Sequence, residues 1–129
     1  MAKVTYSSAK GLVVESGTGF QVNDAPILEE IEAVTTDSVA GAVDGEGFGI
    51  TNVTTDGVGA ADQIVTIANG TAAGQLKTVI LANRAAGGDT VRVDDATDTQ
   101  IGSSLTVNGN FIHMVWTGSA WSVVGSLYV

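Results

Sequence analysis

Ser104-Leu105-Thr106-Val107-Asn108-Gly109-Asn110-Phe111-Ile112-His113-Met114-Val115-Trp116 runs directly into Thr117-Gly118-Ser119-Ala120-Trp121-Ser122-Val123-Val124. The stretch holds three runs rich in β-branched, aromatic and other apolar residues, each closed by a turn signal. Asn108-Gly109 predicts a hairpin with a type I′ turn, which needs positive φ at both central positions. Thr117 to Ala120 predicts a second hairpin, with a Trp at each shoulder. Three more runs lie upstream: Ile64 to Ile67 followed by Asn69-Gly70, Leu76 to Leu81, and Thr90 to Val93. Runs at roughly 8–14-residue spacing, bounded by Gly, Asn or Asp, predict an all-β antiparallel sandwich or barrel.

Farther toward the N-terminus the pattern weakens. A short strand is expected near Phe48 to Val53, between the glycine-rich loop Ala40 to Gly49 and the loop Thr54 to Gly59. Asp24-Ala25-Pro26-Ile27-Leu28-Glu29-Glu30-Ile31-Glu32 carries helix-start residues, yet Ile27, Glu29, Ile31 and Ala33 alternate as a strand would. An extended run continuing into Val34-Thr35-Thr36 is the reading adopted. Val4-Thr5-Tyr6 and Gly11-Leu12-Val13-Val14 are β-prone with little apolar density. Residues 1–22 are therefore expected to form an arm and residues 23–129 one domain.

Composition narrows the function. The chain of 129 residues is 44% hydrophobic and 15% charged, too apolar and too weakly charged to be disordered. Its 17 glycines and single proline, with recurrent Val and Thr, are the composition of short strands and tight turns. A net charge of −9 repels phosphate backbones, so no nucleic-acid partner is expected. Without cysteine there is no disulfide framework or zinc cluster, and stability must come from packing or association. No apolar run approaches the ~20 residues needed to cross a bilayer, and Met1 to Tyr6 lacks a signal-peptide core. The expectation is a soluble protein, without a membrane partner, made in a cytoplasm.

The motifs that carry chemistry elsewhere are weak here. His113 is the only histidine, and with no Gly-x-Ser-x-Gly elbow it reads as a strand residue facing a partner or solvent. Glu29, Glu30 and Glu32 crowd one segment, whereas glycosidase carboxylates must face each other across a cleft. Asp94, Asp95 and Asp98 could offer hard oxygen ligands to Ca²⁺, or form an ordinary acidic turn. Gly87-Gly88-Asp89-Thr90-Val91 matches one copy of a Ca²⁺-binding repeat that works only in tandem. Gly45-Glu46-Gly47-Phe48-Gly49 lacks the Lys of a phosphate loop, and the sequons at Asn52 and Asn69 carry no meaning without secretion. No catalytic, cofactor-binding or metal-binding residues are assigned, and an enzyme is not expected. Trp116 and Trp121, each able to bury roughly 200 Å², are expected to seal one end of the core or an intersubunit seam.

Three segments together, Gly74 to Leu81, Gly88 to Val93, and Phe111 to Trp116 with Gly118 to Gly125, resemble the β-sandwich, jelly-roll-like decoration (cement) proteins on tailed-bacteriophage heads. Similar runs occur in some tail-fibre proteins. The resemblance covers about residues 62–126 and is a pattern of strands and turns with a closing Trp. It implies a jelly roll associating as a homotrimer on the outer surface of the virion, with an extended N-terminal arm on the major capsid protein or a neighbouring copy. Under this reading Val4, Tyr6, Leu12 and Val13 clamp the capsid by β-augmentation, and Trp116 and Trp121 join them as interface residues. An acidic exterior suits a protein present in many copies per particle.

The alternative is a carbohydrate-binding or host-attachment module of a tail fibre. That function needs an exposed aromatic platform, for which Trp116, Trp121, Tyr6 and Tyr128 are the candidates.

Overall fold

A computed structural model describes residues 4–7, 11–14, 21–22, 25–26, 31–37, 43–45, 49–58 and 62–128. Every regular element among them is a strand. β1 (Val4–Ser7) and β2 (Gly11–Val14) form an antiparallel two-stranded sheet with Tyr6 opposite Leu12. β3 (Gln21–Val22) and β4 (Ala25–Pro26) form a second small pair.

The body is a coil of two sheets. β5 (Ile31–Thr35) is followed by β6 (Val43–Gly45), then β7 (Gly49–Thr54), β8 (Asp62–Ile67), β9 (Leu76–Asn83) and β10 (Thr90–Asp95). The odd-numbered strands enter one sheet and the even-numbered strands the other, so the chain lays down three circuits of one strand per sheet. All ladders within these circuits are parallel. The second and third circuits are in register at an offset of 28 residues, with Val53 beside Leu81 and Val65 beside Val93. β11 (Phe111–Trp116) and β12 (Trp121–Leu127) then pair antiparallel and join β9, giving a five-stranded sheet in the order β12-β11-β9-β7-β5. The other sheet is β10-β8-β6.

The expected all-β class holds, and the strand direction does not match the antiparallel jelly roll. The loops after β5, β7 and β9 carry the chain across to the opposite sheet rather than back beside the same strand. Each strand therefore meets its predecessor from one circuit earlier, running the same way. Asn108-Gly109 is corrected too. Only Gly109 has positive φ (88°), and the Asn110 amide donates to the Val107 carbonyl at 2.9 Å, which makes a type II turn. This turn is a corner between the sheets: of the run Ser104 to Val107 only Leu105 bridges, to Val91 of β10, while β11 lies in the five-stranded sheet. The hairpin at Thr117 to Ala120 forms as expected, with Trp116 opposite Trp121.

The core lies between the sheets. Val53, Val79, Leu81, Ile112 and Met114 from the five-stranded sheet meet Val65, Ile67, Val91 and Val93 from the other, all fully buried. The corners stack as the strands do. Thr36 after β5 donates its hydroxyl to the Gln63 side chain of the next circuit. Thr55 after β7 donates to Asp89 of the circuit after that, at 2.5 Å. Arg84 after β9 donates from its guanidinium to the carbonyls of Ala86 and Thr106. Each corner thus satisfies the polar groups of the next, as buried polar atoms require.

Candidate interaction face

Because side chains alternate along a strand, each sheet has an outer face set by the residues between the core positions. On the five-stranded sheet the paired registers define rows across that face. One row runs Leu127, Phe111, Ile80, Asn52, Ala33. The next runs Gly125, His113, Thr78, Ile50, Ile31, and a third runs Ser122, Val115, Leu76. His113 is the only ionisable side chain in these rows. Ile31 (63% exposed), Leu127 (45%) and Leu76 (43%) are open to solvent, and Ile50, Ile80, Phe111 and Val115 are half-buried. At ordinary strand spacing and rise the face measures about 24 Å across by about 20 Å along the strands.

The three-stranded sheet is different outside. Asp62, Arg92 and Asp94 alternate outward there. Arg92 forks onto Asp94, with Nε donating to Oδ1 at 2.8 Å and a terminal nitrogen reaching Oδ2. That hydrogen bond, reinforced by the Asp94 charge, raises the guanidinium's pKa above its ordinary value. Thr90 donates to Asp62 at 2.5 Å.

The residues singled out from sequence fall in different places. Trp116 and Trp121 do come together, edge to face with centroids 5.4 Å apart, but both are buried. The Trp121 Nε1 donates to the Ala68 carbonyl at 3.1 Å, and Trp116 lies so close over Gly70 that a Cβ there would overlap it. They seal one end of the core within a single chain, which removes them from the expected interface and from any flat sugar platform. Tyr128 lies over Gly102, where its hydroxyl accepts from the Ser103 amide at 3.1 Å. Val4, Tyr6, Leu12 and Val13 all fall on the β1–β2 pair, away in sequence from the Trp hairpin. Glu29, Glu30 and residues 46–48 lie outside the described residues.

The acidic loop is a turn. Asp95 Oδ1 accepts from the Thr97 amide (2.8 Å), the Thr97 hydroxyl (2.7 Å) and the Thr99 amide (3.0 Å). These bonds, the Thr97 hydroxyl's above all, lower the carboxyl's pKa below its usual 3.8. With Asp94 committed to Arg92 and Asp95 to its own turn, Asp94, Asp95 and Asp98 do not converge, and among the described residues no group of three or more potential ligands is placed to hold a metal. His113 Nδ1 shares a hydrogen bond with the Thr78 hydroxyl at 2.8 Å, a cross-strand structural role. Glu32 points inward, where its carboxylate accepts from Thr51 at 2.7 Å and lies 3.9 Å from the fully buried Lys77 ammonium. Among the described residues no helix is long and apolar enough to cross a membrane.

Strand alternation alone does not reveal the uncharged face, because it marks which residues point outward and not what they meet there. A signal was present: from Thr99 to Val129 the chain contains no Asp, Glu, Lys or Arg, although the whole carries a net charge of −9. No protein-family model matches the chain, and no curated protein is detectably similar to it in sequence.

Proposed function

We propose that this protein is a structural component of a phage particle, a decoration protein that binds the outer surface of the major capsid protein shell and stabilises it as a homotrimer. The observation that carries the reading is the division of its surface. One sheet presents an uncharged, largely apolar face, the kind of contiguous patch that marks a protein-contact site, and the other carries exposed Asp62 and the Arg92–Asp94 pair. A small chain built this way works by contact with other proteins.

In this reading the β1–β2 ribbon is the clamp. A lone two-stranded ribbon is marginally stable in water, so it gains order by adding to a partner's sheet edge. The sandwich-like body then acts as the solvent-facing cap, and its acidity keeps decorated particles apart.

The test is co-sedimentation of the full-length protein with emptied phage capsids, alongside a Tyr6→Asp/Leu12→Asp variant. The wild type is expected to pellet with the capsids and the variant to stay in the supernatant with an unchanged melting temperature. A wild type that never pellets would sink the proposal, and a variant that pellets equally would sink the clamp.

A further inference from the structure

We infer that the outer face of the five-stranded sheet is a homotypic interface, covered by a second copy of this chain. The reading above supplies only the expectation of several copies; the face is assigned from charge, exposure and size.

Charge decides the occupant. Each chain carries −9, so two copies meeting through most of their surface bring like charges together. Of the described carboxylates, Glu32 and Asp89 sit inward, Asp37, Asp56, Asp95 and Asp98 lie at the corners, and Asp62 and Asp94, like Asp44 by its strand, belong to the three-stranded sheet. On the rows centred on Ile80 and Thr78 there are none. A basic or acidic partner finds no opposite charge on this face to attract it. A copy of the same face meets it neutral on neutral, and a two-fold contact requires that kind of self-complementarity.

Size and satisfaction agree with this. A patch of about 24 by 20 Å covers roughly 500 Å² on each copy, or roughly 1,000 Å² for the pair, the lower bound of specific association. Two of the polar groups near its centre are already paired with each other, because His113 Nδ1 and the Thr78 hydroxyl bond at 2.8 Å, one row from the Asn52 amide. Covering that pair leaves neither of those two atoms without a partner. The exposed Ile31, Leu76 and Leu127 lie on the outer two strands and on β9, so apolar contact spans the width of the sheet.

The test is the solution mass of the full-length protein by light scattering at tens of micromolar, for the wild type and three variants. Ile80→Glu puts a carboxylate at the centre of the face, and Ile31→Glu puts one at an exposed position that the fold of one chain does not need. Ile64→Glu adds the same charge to the outer side of the three-stranded sheet. The wild type and Ile64→Glu are expected at an even multiple of the 13.0 kDa chain mass, a pair of chains or a pair of trimers joined through this face. Ile80→Glu and Ile31→Glu are expected to weaken self-association by roughly 100-fold or more, because like charges would oppose across the contact. A wild type that is monomeric or a lone trimer overturns the inference, as does Ile64→Glu dissociating as fully as the face variants. Assembly that survives in both Ile80→Glu and Ile31→Glu also overturns it. Capsid co-sedimentation of the same samples separates the two ideas: an assembled wild type that ignores capsids breaks the functional proposal alone, and a homotrimer that binds capsids breaks this one alone.

Discussion

The two sheets share one core and differ outside it. Inward, Leu81 of β9 and Ile67 of β8 are equally and completely buried, and each belongs to the same apolar cluster. Outward, β9 shows Ile80 and Thr78 while β10 shows Arg92 and Asp94. A strand's alternation fixes that it will have two faces, and the residues between the core positions decide what each face is for. On the three-stranded sheet those residues are charged, with Arg92 half-exposed and paired to a buried Asp94. On the five-stranded sheet they continue the chemistry of the interior.

The inner half of this comparison makes the largest prediction. Leu81→Ala and Ile67→Ala should each cost about 3 kcal/mol, since both leave a cavity in a closed core. Urea unfolding of the two variants measures it. A loss confined to one of them would mean that the sheets do not share a core. Next comes the end of the core under the indoles, where Gly70→Ala should cost about 2 kcal/mol because the new methyl must displace Trp116 against a packed wall. The accompanying Trp fluorescence should shift to the red as the rings open to water. A stable Gly70→Ala with unchanged emission would show that the seal is loose.

The outer half predicts a smaller effect. Asp94 is 1% exposed while the Arg92 guanidinium bonds both its oxygens, so Arg92→Ala removes that cover and opens the carboxylate to water, where its charge is resolvated rather than stranded. The expected stability loss is a small fraction of that for the cavity variants and shrinks further in high salt. The solution mass should stay that of the wild type. An Arg92→Ala variant that changed the assembly would place a contact on the charged sheet and erase the distinction between the two faces.

How far the sequence revealed this depends on what alternation can encode. Period-two patterning marks strands and their inward residues, so β8 to β12 and the Trp116–Trp121 hairpin were legible. It is the same for a strand running either way, which is why strand direction was not. The coil repeats every 28 residues between its second and third circuits, yet from Thr55 to Ile67 against Asn83 to Asp95 only Gly59 with Gly87 and Val65 with Val93 are identical. A corner constrains size and hydrogen bonding, which Thr55–Asp89 and Thr36–Gln63 meet with different residues. The outer face was readable in principle from Val79-Ile80-Leu81 and Phe111-Ile112, where apolar residues fall on both parities of one strand. Such runs mark strands covered on both sides.

The smallest effect concerns the turn that ends the parallel coil. Asp95 gathers Thr97 and Thr99 around its carboxylate, Asp98 takes positive φ (61°), and the chain reverses so that Gln100 bridges back to Asp94 and Leu105 to Val91. Because its hydrogen bonds lower the Asp95 pKa below 3.8, the folded state holds this proton less tightly than the unfolded chain does. The resulting stabilisation is fully present above the unfolded value and is lost as pH falls through the folded one. Asp95→Asn keeps an acceptor of the same shape without the charge. The gap in melting temperature between wild type and Asp95→Asn should therefore be constant at neutral pH and close as pH drops below about 4. Subtracting the two curves cancels the other carboxylates, which titrate in both. A gap that persisted unchanged to the lowest pH at which both proteins fold would mean that the shape of Asp95, and not its charge, reverses the chain and caps the charged sheet.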